Sequence, residues 1–220
     1  MGVAMTKRFK IISVTLGLIL APVAMGMQQD RSPEQRKSNM NLVHFTANGF
    51  IEDIPDLLER GADVNTKAYQ GLGERNPQLN DATPLHLCAW HDYKEIASLL
   101  LEHGAEVDAR ERRGLTPLHT AIWCGSSRMI QVLLDRKASI EAGDDKLCTP
   151  LHVASHGVHL EPLYLLLNRG ADMEARNAKG STPLECALSG FHLEQKARVR
   201  ALLERGAQIE EGKTHGWCQN

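Results

Sequence analysis

One unit is copied along this chain at a fixed spacing. TPLHLCAW begins at Thr83, TPLHTAIW at Thr116, TPLHVASH at Thr149 and TPLECALS at Thr182, each 33 residues after the last. A second landmark keeps the same phase: GADVN at Gly61, GAEVD at Gly104, KASIE at Lys137, GADME at Gly170 and GAQIE at Gly206. Two landmarks in one period mean a single supersecondary unit repeated, with each copy burying its apolar face on the next. Five copies tile residues 39–210 as one domain, in units of roughly 39–65, 81–110, 114–143, 147–176 and 180–210.

Each unit reads as two short helices. Thr before Pro starts the first, because a hydroxyl at the N-cap satisfies free N–H groups and Pro is tolerated at the first helical position. Leu85, Ala89, Leu118, Ala121 and Ile122 give that helix an apolar face. Asp92, Gly125, Gly157 and Gly190 follow it, residue types that accept a left-handed turn. A second apolar run comes next, as in EIASLLLEHG (95–104) or MIQVLLDRK (129–137), and ends at the landmark Gly. Leu pairs such as Leu99–Leu100 and Leu133–Leu134 are then the continuous core between units.

The period, the TPLH tetrapeptide and the LLxxGADVN close resemble the ankyrin-repeat family over nearly all of the chain beyond residue 38. That resemblance implies an all-α solenoid of helix-turn-helix units joined by β-hairpin loops. It also implies that His86, His119 and His152 bond the Thr hydroxyl and nearby backbone, tying adjacent units together. Three departures stand out. The first copy (39–65) lacks TPLH and carries Pro55 within its second helix, which suits an N-terminal cap. The last copy has Glu185 in place of His, which suits a C-terminal cap, and Lys137 replaces a Gly, implying a strained left-handed residue or a different helix end. Seventeen residues separate Asn65 from Thr83, against seven between Asp108 and Thr116, so 66–80 is an insertion, either a protruding loop that touches a partner or a tolerated extra length.

The ends belong to different objects. KRFK (7–10), the apolar run IISVTLGLIL (11–20) and APVAMG (21–26) have the order of a secretory signal peptide. The run is short for a membrane span, although an uncleaved anchor remains the alternative. Residues 27–38, polar and carrying Pro33, read as a flexible linker, and 211–220 as a C-terminal tail. Export points to the periplasm or secretion. The five cysteines pull the other way: an odd count leaves a thiol unpaired, and repeat spacing near 10 Å is too wide for disulfides between units. No disulfide is expected within the repeats, with Cys88 and Cys186 filling small core holes.

Residues 27–220 carry 22 basic and 27 acidic side chains, so no basic field invites nucleic acid. No Cys-x-x-Cys or His-Glu-x-x-His pattern implies a metal, and no cofactor motif occurs. A metal- or thiol-dependent activity would have to use His156, His159 and Cys124; Cys124 and His119 lie about 140° apart around a helix, without a third orienting group. The expected function is therefore non-enzymatic: a monomer that binds another protein, or a membrane-tethered adaptor if the N-terminal segment stays attached. As the resemblance implies, partners are held by hairpin tips and by the concave face of the first helices. In this register the inward residues are Trp90, His91, Trp123, Cys124 and His156; the tips offer Arg112, Arg113, Leu115, Asp145 and Lys146, with Cys148, Ala178 and Lys179 beside them. Trp90 and Trp123 occupy one position in adjacent units, which predicts a stacked aromatic strip and a binding hot spot.

Overall fold

A computed structural model describes residues 32–68, 81–189 and 194–208. The signal-like segment, most of the 66–80 insertion and the 211–220 tail lie outside the described residues. The helices alternate between two rows. The inner row is α1 (Pro33–Asn48), α3 (Pro84–His91), α5 (Pro117–Trp123), α7 (Pro150–His156) and α9 (Pro183–Ser189). The outer row is α2 (Ile54–Glu59), α4 (Lys94–Glu102), α6 (Ser127–Asp135), α8 (Glu161–Asn168) and α10 (Gln195–Glu204). Each inner helix packs on its own outer helix and on the next inner one. Leu42, Leu85, Leu118, Leu151 and Leu184 repeat one buried position along the inner row, within a single apolar cluster running from α1 to α10. The units meet through hairpin-like turns, and no strand is assigned among the described residues.

Three local expectations change. Residues 33–38 are not linker, because α1 starts at Pro33, with the Ser32 hydroxyl accepting the Gln35 N–H at 3.2 Å. Pro33 is a helix starter, since its missing N–H falls where no helical bond is needed. Pro55 likewise sits in the first turn of α2 and does not interrupt it. Gly157 is extended (φ −63°, ψ 178°), whereas Asp92 and Gly125 are left-handed, at φ 58° and 71°. A Cβ at Gly125 would also lie 2.5 Å from the His159 ring, so both backbone and space call for glycine there.

Two ladders of hydrogen bonds join the units. In the first, each TPLH histidine closes a capping box: His119 Nδ1 accepts the Thr116 N–H at 3.2 Å. Its Nε2 then donates to the Cys148 carbonyl of the next unit at 3.0 Å. His86 repeats this with Leu115 O at 3.0 Å, and His152 with Ser181 O at 2.9 Å. These partners assign the Nε2–H tautomer of a neutral ring. Glu185 keeps only the local half, its carboxylate accepting the Thr182 N–H at 3.1 Å.

The second ladder runs through the last residue of each landmark. Asn65 accepts the Glu106 N–H at 2.8 Å, Asp108 the Ser139 N–H at 3.0 Å, Glu141 the Asp172 N–H at 2.8 Å and Glu174 the Gln208 N–H at 3.0 Å. Asn39 on α1 begins the series by accepting the Asp63 N–H at 2.8 Å. Sequence reasoning saw the landmark but missed this use of its final side chain. An exposed set of ion pairs, Arg136–Glu102 at 3.3 Å and Arg169–Asp135 at 3.1 Å, follows the outer row and adds little in water.

Two consequences are measurable. Burial holds the three histidines below the ordinary imidazole range, His86 at about 4. Folded rings stay neutral while unfolded ones take a proton below about pH 6.5, so stability is lost as pH falls from 6.5 towards 4. His86 alone should remove about 2 kcal/mol between pH 7.5 and 5.0 in urea denaturation. Equal stability at both pH values would refute the buried neutral rings. Separately, Lys137 (φ 69°) and Leu147 (φ 56°) are exposed and left-handed where other units place Gly. Lys137→Gly and Leu147→Gly should each raise stability by about 0.5–1 kcal/mol; two losses would show that these positions carry no strain.

Candidate partner-binding site

Some inner-helix positions take no part in the two ladders. Counting from each Thr, the fourth and seventh residues lie one turn apart on the same helix face. Thr120, Val153 and Cys186 occupy the fourth position, Trp90, Trp123 and His156 the seventh, and all six line one groove of about 560 Å3. Its other wall is made of hairpin tips: Arg113 and Leu115, then Asp144, Asp145, Lys146 and Cys148, then Asn177, Ala178 and Lys179. The groove therefore lies between the inner helices and the turns that precede them.

The tips are rigidly made. The side chain five residues before each Thr accepts two backbone N–H groups of its own turn. Asp144 Oδ1 takes those of Lys146 and Cys148, both at 2.8 Å. Asn177 Oδ1 takes those of Lys179 at 2.9 Å and Ser181 at 3.0 Å. Glu111, itself buried, takes those of Arg113 at 2.9 Å and Leu115 at 3.3 Å. Successive turns are tied together as well, Asp145 N–H donating to Arg113 O at 3.0 Å and Ala178 N–H to Lys146 O at 2.8 Å. Such turns present their remaining side chains in fixed positions.

Of the ten residues expected to meet a partner, Trp90, Arg113, Leu115, Trp123, Asp145, Lys146 and His156 line this groove. Three do not. His91 is exposed and stacks on Tyr93 at 5.2 Å, Arg112 is exposed, and Cys124 ends α5 half-buried. Trp90 and Trp123 share the groove without forming a ring pair, so the strip is not stacked. Trp90 is partly buried against Ala82, Leu87 and Val43, whereas Trp123 is 45% exposed. Sequence reasoning missed Thr120, Val153, Asp144 and Asn177. The three-residue spacing from fourth to seventh position could have found the first two.

The thiols at and beside the groove are held in the protonated form. Burial, and then the nearby Asp92 charge, push the Cys124 thiol up to about 11, so it is protonated at neutral pH and a poor nucleophile. Burial and Asp144 raise the Cys148 thiol in the same direction. Among the described residues no three His, Cys, Asp or Glu side chains converge as a metal site. The repeat cysteines form no disulfide with one another among the described residues. Cys186 is buried as expected but is disulfide-bonded, while Cys88, Cys124 and Cys148 are free. Repeat spacing excluded a bond between equivalent positions of neighbouring units; it did not constrain Cys186 towards residues outside that register.

Comparison with known proteins agrees with this architecture. The family model "Ankyrin repeats (3 copies)" matches residues 42–144, and "Ankyrin repeat" matches 146–178. Serine/threonine-protein kinase 12 of Arabidopsis thaliana is 31% identical over 81 residues, which are 37% of this chain. Those residues are only 16% of the plant protein, so this chain spans a minor part of that relative's length. The matched units, the stacked helix pairs and the TPLH ladder agree: this chain belongs to the ankyrin-repeat family, whose repeats are protein–protein interaction modules.

Proposed function

We propose that this chain is a non-enzymatic, exported docking protein that holds one partner protein in the groove between its inner helices and hairpin tips. The observation that carries this is Trp123, 45% exposed in a groove whose walls are braced by backbone hydrogen bonds. An aromatic side chain freezes few torsions on binding and buries much area, and a braced groove loses little entropy when a partner arrives. The protein acts as a monomer, and binding is rigid docking without chemistry. Export is supported by the order of basic, apolar and small residues in 1–26 and by the disulfide at Cys186, which suits an oxidising compartment such as the periplasm or the extracellular space.

Two experiments test these points. Affinity capture from the native compartment should recover a partner with the wild-type chain and lose at least tenfold of it with Trp90→Ala/Trp123→Ala. Equal recovery by both would remove the groove as the docking site. N-terminal sequencing of the mature protein should find a start near Met27 or Gln28. An intact N-terminus on a membrane-bound protein would replace export with the tethered-adaptor alternative.

A further inference from the structure

The landmark ladder still holds at Gln208, the last described residue. Its N–H donates to Glu174 at 3.0 Å, as Glu106, Ser139 and Asp172 donate to the units before them. In those three units the next inner helix opens ten residues later, at Thr116, Thr149 and Thr182, and ten residues after Gln208 stands Cys218. Two residues before each Thr the backbone is left-handed, at Gly114 (φ 76°), Leu147 (φ 56°) and Gly180 (φ 77°). Two residues before Cys218 is Gly216. Residues 209–218 thus carry the length and the glycine of one more hairpin turn.

Two kinds of bond that hold the earlier turns cannot be made to this one. Glu185 replaces the bridging histidine, and its carboxylate has no N–H to donate onward. Lys213 stands where Glu111, Asp144 and Asn177 accept the N–H groups of their turns, and an ammonium accepts nothing. Of the five cysteines, Cys88, Cys124 and Cys148 are free thiols while Cys186 is disulfide-bonded, which leaves Cys218 as its partner. The last two rungs join His119 to Cys148 and His152 to Ser181. Cys186 and Cys218 each stand one residue beyond the corresponding pair, Glu185 and Trp217. Cys186 is also 1% exposed, although no described inner helix lies beyond α9. We infer that residues 209–218 form a further hairpin tip of the array, clasped onto α9 by a Cys186–Cys218 disulfide in place of the histidine rung. The bond forms as both thiols give up their protons and two electrons to a disulfide-carrying oxidant, which leaves as a dithiol. The tip sets Trp217 at the position of Leu115 and Cys148, which line the groove, so the clasp lengthens the tip wall by one unit. The clasp stands or falls independently of the groove being a docking site.

The test uses the full chain isolated from its native compartment, with free thiols alkylated in denaturant and the protein digested without reductant. Mass spectrometry should find the peptide of Cys186 linked to that of Cys218, with Cys88, Cys124 and Cys148 alkylated. Hydrogen exchange then reads the tip itself. Amides of residues 209–218 should exchange at least tenfold more slowly in the oxidised chain than after reduction with dithiothreitol. Cys218→Ser should exchange at the reduced rate in either condition while its circular dichroism stays that of the wild type. Adding Glu185→His and Lys213→Asn to Cys218→Ser should recover at least threefold protection, because the rung and the turn acceptor return. Alkylated Cys186, or Cys186 linked to any other cysteine, would overturn the clasp. Equal exchange in the oxidised and reduced chains would overturn the ordered tip. Absence of recovery in the triple variant would overturn its register with the earlier turns.

Discussion

The array depends on one buried side chain repeated in three units, a neutral histidine that acts on two scales at once. Through Nδ1 it closes the first turn of its own helix on the Thr N–H. Through Nε2–H it reaches a carbonyl 29 residues further on, in the turn before the next inner helix. A helix cap is worth about 1 kcal/mol, but a buried carbonyl and N–H left without partners would add about 1–3 kcal/mol each. Local helix formation is thereby linked to stacking, so a unit cannot lose its neighbour without exposing its own cap to a loss. That coupling is what turns short helices, marginal in isolation, into a stable stack.

In the turn after each outer helix the landmark side chain accepts the N–H of the next landmark. Two lines of contact, one from the start of the inner helix and one from the turn after the outer helix, join each unit to the next. The groove inherits that order. Its helix wall is set by the inner row and its tip wall by turns whose N–H groups are held by Glu111, Asp144 and Asn177. These three differ in charge and length yet make the same pair of bonds, so no single residue type marks the role in the sequence. Their shared role appears only when the turn geometry is known.

What was legible from sequence was whatever repeats. The period placed the helices, the TPLH residues placed the capping histidines, and seven of the ten residues singled out from the register line the groove. What failed was local. Pro33 looked like a breaker because Pro disrupts a helix interior, yet at the first helical position, with Ser32 as the capping oxygen, it starts one. Gly157 was expected to copy Gly125, but an extended backbone there leads to α8 without a left-handed residue.

The same logic separates what the scaffold requires from what it leaves open. Thr, Pro, Leu and His are committed to capping, core and bridging, and a variant there is felt as lost stability. The fourth and seventh residues after Thr, and the third before it, take no part in either ladder. In this chain those positions hold Thr120 and Val153, Trp123 and His156, and Arg113, Lys146 and Lys179, and all of them line the groove. A carboxylate at 185 extends the point to the last described unit. It can accept the Thr182 N–H and complete the cap, but it has no ring N–H with which to bridge onward as His152 does. Glu185 therefore keeps the helix while releasing the outward bond, and the chemistry needed to propagate the array is separable from the chemistry needed to fold each unit.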